Sequence, residues 1–210
     1  MKENFKKYLV EFIGTFFLMF TVGSVVLLGA NGVIGAIAIG FALMIMVYAG
    51  GYVSGGHYNP AVSLAAAVSG ALDKKQLLQY WVAQALGASA AALLVCFLSP
   101  EIIESSCPFS LPQIVIGEFL FTFALCYVVL QTAVAEKTAG NCYYGLAIGS
   151  TVMVGAVAVG GILCFGAFNP AVALGLGILN VACWVAMGIT VATNLIAAVI
   201  AALTYKFINK

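Results

Sequence analysis

The sequence predicts an all-α membrane protein in which six transmembrane helices and two shorter re-entrant helices form an inverted repeat. Three observations lead to this fold class: the composition, the lengths of the apolar segments, and a similarity between the two halves of the chain. Of the 210 residues, 64% are hydrophobic and 7% are charged. The polar residues are too few to cover a soluble domain of this size, so most of the surface must face lipid.

Six apolar segments have the length that a helix needs to cross a bilayer, roughly 20 residues. The predicted spans are 8–30, 33–53, 76–98, 114–135, 143–163 and 181–205. Two shorter apolar segments remain, at 60–70 and 170–179. Ten helical residues rise roughly 15 Å, about half the thickness of the hydrocarbon core. We therefore expect each short helix to enter the membrane and to end near its middle.

The second half of the chain repeats motifs of the first half. EFIGT at 11–15 is matched by EFLFT at 118–122, and WVA at 81–83 is matched by WVA at 184–186. Because each half contains an odd number of spans, the second half must enter from the opposite face. We predict a single domain, 1–210, made of inverted repeats 1–98 and 114–210 joined by the extracellular loop 99–113.

The lysine residues predict which face of the membrane is cytoplasmic. All eight lysines fall on one face of the six-span topology, whereas the loop 99–113 contains glutamates and no lysine. Because cytoplasmic loops are rich in basic residues, we expect both termini in the cytoplasm. The short tails and minimal loops favour the plasma or inner membrane. A net charge of +1 argues against a nucleic-acid partner.

Each short apolar segment begins with the tripeptide Asn-Pro-Ala. Proline is favoured in the first turn of a helix, and the asparagine before it is a favoured N-cap. Two helix N-termini that meet at the middle of the membrane create a positive potential, which excludes cations and protons. We expect both asparagine N–H₂ groups to point into a lumen and the small alanines to allow a close approach. The residues concerned are Asn59, Pro60, Ala61, Asn169, Pro170 and Ala171.

Two acids lie inside predicted spans, where acids are rare and usually functional. Glu11 and Glu118 could couple protons in a transporter, or they could accept hydrogen bonds from the re-entrant loops. Their symmetric placement favours loop support. His57 could sense pH, but we favour a hydrogen-bonding role in the loop. Gly55 and Gly56 precede it, and we expect this loop to line a pore.

These motifs resemble the aquaporin, or major intrinsic protein, family over nearly the whole chain. The resemblance rests on EFIGT at 11–15, SGGHYNPAV at 54–62, WVAQ at 81–84, Glu118 and FNPA at 168–171. It implies a passive membrane channel, surrounded by lipid, that forms a homotetramer with one pore in each subunit. The sequence itself contains no phosphate-binding glycine loop and no nucleophile–base constellation, so we expect no enzymatic activity, no cofactor and no metal.

In this family, a constriction on the outer side of the Asn-Pro-Ala motifs selects the solute. Counting from the matched motifs assigns its four positions to Ile39, Val157, Gly166 and Val172. Family members usually have an arginine where this chain has Val172, and this chain contains no arginine at all. The resemblance therefore implies an apolar, wider ring that passes water and small neutral solutes such as hydrogen peroxide, ammonia, urea or glycerol.

Other functions remain open at this point. An apolar ring could dewet, which would lower water flux and favour ammonia, carbon dioxide or other small solutes. A secondary transporter with broken helices also uses inverted repeats, and it would need Glu11 and Glu118 as coupling groups. A junction protein with a closed pore is a third possibility.

Two smaller expectations concern the second half of the chain. The two short re-entrant helices, 60–70 and 170–179, are called half-helices below. Few residues separate Asn169 from Trp184, so we expect the second half-helix to run almost directly into the last span, with a break at Asn180. Cys107 and Cys164 could face the same aqueous side and form a disulfide bond. The six cysteines show no metal-binding spacing.

Overall fold

The computed structural model describes residues 2–27, 29, 32–99, 110–160 and 166–210. These residues contain α-helices and no strand, as the composition predicted. The helices are α1 (Lys2–Leu27), α2 (Val33–Ser54), α3 (Pro60–Ser69), α4 (Leu77–Leu98), α5 (Leu111–Val129), α6 (Tyr144–Ala158), α7 (Pro170–Ile178) and α8 (Trp184–Ile208). A 3₁₀ turn, Lys74–Gln76, precedes α4, and a π-helical turn, Leu130–Val134, continues α5.

Among the described residues, five helices are long and apolar enough to cross a membrane: α1, α2, α4, α5 with its π turn, and α8. The remaining predicted span corresponds to α6, which is described over 15 residues. A helix of this length rises about 22 Å. Part of the predicted span 143–163 lies outside the described residues, as do Cys107 and Cys164.

The two short helices begin at proline, as the sequence predicted. α3 has 10 residues and α7 has 9, so each rises about half the thickness of the hydrocarbon core. α3 ends at Gly70, which adopts φ 101. α7 ends just before Asn180, which adopts φ 57 at the expected break. Only glycine and, less often, asparagine adopt this left-handed conformation readily, and both are typical helix terminators.

The helices pack as two intertwined halves. In the first half α1 packs against α2 and α4, and in the second half α5 packs against α6 and α8. Each half-helix packs mainly against the last long helix of the other half: α3 against α8, and α7 against α4. This exchange brings the N-termini of α3 and α7 together inside the helix bundle.

The crossing of α2 with α6 joins the two halves and depends on two glycines. A methyl group added to Gly40 would meet the Gly149 carbonyl, and one added to Gly149 would overlap the Gly40 carbonyl. The absence of side chains therefore allows the two backbones to approach closely.

All lysine-bearing segments end at the same face of the bundle. The start of α1 contacts the 3₁₀ turn before α4, where the Gln76 side-chain amide donates a hydrogen bond of 3.1 Å to the Asn4 side chain. The end of α8 contacts the end of α5 through a bond of 3.3 Å between Asn209 and Gln131. A cavity lined by both Lys7 and Val134 connects the two groups of helix ends.

The repeated Trp-Val-Ala sequence does not mark equivalent positions. The Trp81 indole lies within α4 and donates a hydrogen bond of 2.9 Å to the Pro60 carbonyl. Trp184 is the first residue of α8 and is 61% exposed. The offset between the two Asn-Pro-Ala motifs is 110 residues, and this offset pairs Gln84 of α4 with Asn194 of α8.

We predict that Gly149→Ala destabilises the protein by about 1–3 kcal/mol, because its methyl group must push α2 and α6 apart. Gly188→Ala is the matched control, since a methyl group at this helical glycine has no atom within 4 Å. The control should be neutral or stabilising by about 0.5–1 kcal/mol. Thermal unfolding in detergent measures the difference, and equal melting temperatures would contradict the proposed crossing.

Candidate functional site

Each half-helix begins at a buried asparagine that caps it. Asn59 Oδ1 accepts a hydrogen bond of 2.9 Å from the Ala61 N–H, and Asn169 Oδ1 accepts one of 2.9 Å from Ala171. Both asparagines adopt the extended backbone conformation that is typical of an N-cap. The side-chain amides therefore have their oxygens in the caps and their N–H₂ groups free to point elsewhere.

One hydrogen of each amide crosses to the other motif. Asn59 Nδ2 donates to the Phe168 carbonyl at 2.8 Å, and Asn169 Nδ2 donates to the Tyr58 carbonyl at 2.9 Å. The sequence predicted that both N–H₂ groups point into a lumen, but it did not predict this reciprocal pair of bonds. Since an amide N–H₂ group has two hydrogens, one on each asparagine remains for the cavity that both side chains line.

Glu11 supports the first loop. Its Oε1 accepts hydrogen bonds from the Ser54 hydroxyl at 2.7 Å and from the His57 N–H at 2.9 Å. Its Oε2 accepts bonds from the Tyr58 N–H at 2.7 Å and from Gln84 Nε2 at 2.8 Å. The carboxylate is fully buried in the protein. These contacts satisfy two backbone N–H groups that have no helical partner.

Glu118 has the same relation to the second loop. Its oxygens accept hydrogen bonds from the N–H groups of Ala167 at 2.6 Å and Phe168 at 2.8 Å. The side-chain amide of Asn194 donates to Glu118 at 2.8 Å and also to the Thr122 hydroxyl at 2.8 Å. Sequence reasoning did not single out Asn194, although the 110-residue offset from Gln84 could have identified it.

His57 is half-buried and lines the cavity at its end toward the lysine-bearing side. Its Nδ1 lies 3.1 Å from the Ser63 hydroxyl, and its ring packs against Tyr80 with the ring centroids 5.3 Å apart. The side chain therefore has a defined hydrogen-bond partner within the loop. The hydrogen-bonding role that we favoured from the sequence stays a prediction, and this contact supports it.

A small cavity, called the narrow cavity below, borders both asparagines. It has a volume of about 50 Å³, enough for on the order of three or four water molecules. The polar groups on its wall come from Asn59, Asn169, His57 and the backbone of the two loops. The rest of the wall is apolar and includes Leu18, Leu43, Val62, Leu125, Ile148 and Val152.

Three of the four predicted filter residues line this cavity: Ile39, Gly166 and Val172. Val157 does not line it. Val157 is 42% exposed on the outer surface of α6, and its neighbour Ala156 borders the cavity together with Val152. Residues four apart share one face of a helix, whereas the next residue points about 100° away. Counting without gaps therefore missed the cavity-lining position by one residue.

A wider cavity of about 480 Å³ adjoins the narrow one on the lysine-bearing side. His57 and Val129 border both cavities, which places them where the two meet. Gly56 lines the narrow cavity, and Gly55 lines the wider one. Gly55 adopts φ 93, which lets α2 end and the chain turn toward the asparagine.

Comparison with known families identifies this architecture. A family model described as "Major intrinsic protein" matches residues 1–205. The chain belongs to the major intrinsic protein family. This match confirms the family resemblance that the paired Asn-Pro-Ala motifs indicated.

The chain is similar to curated aquaporins from plants and bacteria. It is 37% identical over 181 residues to aquaporin NIP1-1 of Zea mays, and the aligned region covers 81% of this chain and 63% of that protein. It is 48% identical over 96 residues to aquaporin Z of Brucella melitensis biotype 1, and the aligned region covers 42% of each chain. The chain spans a little under two thirds of the length of the plant relatives that it matches.

A solved structure confirms the fold of this major intrinsic protein. The X-ray structure of the aquaglyceroporin from Plasmodium falciparum is similar with a TM-score of 0.81 and 23% sequence identity. The similarity covers 96% of this chain and 95% of that one.

We predict that Glu118→Ala destabilises the protein by about 3 kcal/mol or more. The change leaves the buried N–H groups of Ala167 and Phe168 without an acceptor, and each unsatisfied group costs about 1–3 kcal/mol. Glu136→Ala is the control, because Glu136 is exposed at the lysine-bearing face. Denaturant titration in detergent compares the two variants, and equal stability would show that Glu118 does not hold the loop.

Proposed function

We propose that this protein is a passive channel that conducts water and small neutral solutes and excludes protons and ions. The observation that carries the proposal is the narrow cavity that passes Asn59 and Asn169 and is otherwise mostly apolar. A solute in this cavity meets hydrogen-bond donors at the two asparagines. The family membership and the aquaporin relatives support the same conclusion.

Proton exclusion follows from the two helix N-termini. α3 and α7 both begin at the cavity, so their partial positive charges oppose the entry of cations. The free amide hydrogens of Asn59 and Asn169 orient the oxygen of a passing water toward both donors. A water molecule held in this way cannot pass a proton along the file, because both lone pairs of its oxygen accept from the asparagines and none remains to accept a proton from a neighbouring water.

The apolar filter sets the solute range. Ile39, Ala156, Gly166 and Val172 bring no charged group and no side-chain hydrogen-bond donor to the cavity wall. Solutes are then selected by size rather than by a fixed charge. We propose water together with hydrogen peroxide, ammonia, urea or glycerol as the solutes.

A second candidate is a channel with low water flux that favours ammonia, carbon dioxide or other small solutes. The observation in its favour is the small, mostly apolar cavity, because water leaves narrow apolar constrictions readily. A transporter is disfavoured by the hydrogen bonds of Glu11 and Glu118, whose carboxylate oxygens all accept bonds from the loops and their supports.

We further propose a homotetramer in the plasma or inner membrane with both termini in the cytoplasm. The common location of the lysine-bearing helix ends supports this orientation. Large apolar side chains project outward from α1, α2 and α8, and they would face lipid or neighbouring subunits.

Reconstitution into proteoliposomes tests the proposed function directly. Stopped-flow light scattering should show water flux that is linear in the osmotic gradient and has a low activation energy. Saturable, proton-dependent uptake would favour a transporter, and the absence of any flux would favour a junction protein. High ammonia flux with little water flux would favour the second candidate.

We predict that Val172→Arg lowers urea and glycerol permeability relative to water by about tenfold, a barrier increase of about 1.4 kcal/mol. Arginine would narrow the filter and add a fixed charge at a position that lines the cavity. Val172→Leu is the control, because it adds volume without charge. An unchanged solute profile in Val172→Arg would show that Val172 is not a filter residue.

Neighbouring positions on α6 provide a second test of the filter. Ala156→Phe should reduce water permeability by about tenfold or more, because the ring would enter a cavity with room for only a few waters. Val157→Phe should conduct like the wild type, since Val157 is exposed on the outer surface. The opposite ranking would mean that α6 is rotated relative to this structure.

A further inference from the structure

We propose that Tyr58 is a positioning residue that holds the side-chain amide of Asn169 in place through its hydroxyl group. The second loop has no equivalent hydroxyl, so the two halves of the channel are held with different strength. The consequence for proton exclusion rests on the proposed channel function, whereas the tether itself can be measured without transport.

Tyr58 is attached at three points. Its N–H donates to Glu11 at 2.7 Å, its carbonyl accepts from Asn169 Nδ2 at 2.9 Å, and its hydroxyl donates to the Met46 carbonyl at 2.8 Å. The residue adopts φ 48, a conformation that is unfavourable for a bulky L-residue. Such a conformation persists only where the surroundings enforce it.

Two glycines make room for the Tyr58 ring. A methyl group on Gly14 of α1 would overlap the ring, and one on Gly50 of α2 would overlap the hydroxyl group. Tyr58 is 1% exposed. The ring therefore occupies a slot between α1 and α2 with its hydroxyl at the backbone of α2.

Phe168 is the matched residue of the second loop. It adopts φ 49, its N–H donates to Glu118 at 2.8 Å, and its carbonyl accepts from Asn59 Nδ2 at 2.8 Å. Its ring packs against Phe121 with the centroids 5.6 Å apart. Two of the three attachments of Tyr58 are thus repeated, and the hydroxyl bond is the one that phenylalanine cannot form.

The extra bond acts on Asn169 and not primarily on Asn59. The Tyr58 carbonyl is the acceptor for the Asn169 amide, while the Asn59 amide uses the Phe168 carbonyl. A shift of Tyr58 therefore weakens the bond that orients Asn169. If this amide turns, its second hydrogen no longer faces the cavity.

Amide exchange measured by NMR tests the tether. Protein labelled with ¹⁵N-asparagine is placed in lipid nanodiscs, and the signals are assigned with Asn59→Asp and Asn169→Asp. In Tyr58→Phe, the side-chain amide of Asn169 should exchange with deuterium about tenfold faster, the effect of losing one ordinary hydrogen bond. The Asn59 amide should change much less. The variant should fold, because phenylalanine occupies the matched position 168.

Two further variants distinguish loss of the Tyr58 hydroxyl bond from a general destabilisation of the protein. Tyr48→Phe removes a hydroxyl that donates to the Cys142 carbonyl at 3.0 Å and accepts from the Leu146 N–H at 3.1 Å. These contacts involve neither asparagine loop, so both amides should be unchanged. Gly50→Ala should also accelerate exchange of the Asn169 amide, because its methyl group would displace the Tyr58 hydroxyl, although it would meet the Val10 side chain as well. In Tyr58→Phe, equal acceleration of exchange at both asparagine amides, or no acceleration at Asn169, would overturn the proposal.

A transport measurement adds the functional consequence. Proteoliposomes containing a pH-sensitive dye should show a higher ratio of proton flux to water flux in Tyr58→Phe than in wild type or Tyr48→Phe. An unchanged ratio would overturn the link between the tether and proton exclusion. If the wild type conducts no solute, the channel function fails, and the exchange data still decide whether Tyr58 holds Asn169.

Discussion

Two non-helical loops lie deep inside a protein that faces lipid, and their backbone N–H groups need acceptors that water cannot supply. Glu11 and Glu118 provide these acceptors at the first and second loop. The rest of the site depends on this support, because the loops present the asparagines that cap α3 and α7. An acid is costly inside a membrane, but an unsatisfied loop backbone would be costly as well. The same groups that would suit a proton carrier are therefore used to hold backbone.

The inverted repeat produces a symmetric frame with unequal parts. The backbone bonds from Glu11 and Glu118 to the loops correspond closely, and the asparagine amides cross between the halves in both directions. The side chains around this frame differ, with Gln84 facing Glu11 and Asn194 facing Glu118. Symmetry thus preserves the hydrogen bonds that the loop backbone requires. The two halves differ in side chains at the proposed filter and at Tyr58 and Phe168.

Much of the fold and part of the site could be predicted from the sequence, because they depend on residues close together in the chain. The half-helix starts at Pro60 and Pro170 follow from the preferences of proline and asparagine within one turn. The prediction for Val157 differed from the structure for a different reason. α6 is apolar almost all round, so its composition does not show which side faces the cavity. The Trp-Val-Ala sequence that begins at Trp184 likewise repeats the one at Trp81, but Trp184 does not occupy the position in α8 that corresponds to Trp81 in α4.

By itself the sequence determined that lipid is the solvent, that two halves enter from opposite faces, and that two capped half-helices meet between them. These conclusions rest on composition, segment length and local backbone preferences. Only the tertiary structure decided that Asn169 donates to the Tyr58 carbonyl, that the Tyr58 hydroxyl reaches Met46, and that Ala156 borders the cavity. The physical reason is that these features depend on helix rotation and on partners as far as 111 residues away, which no local pattern records.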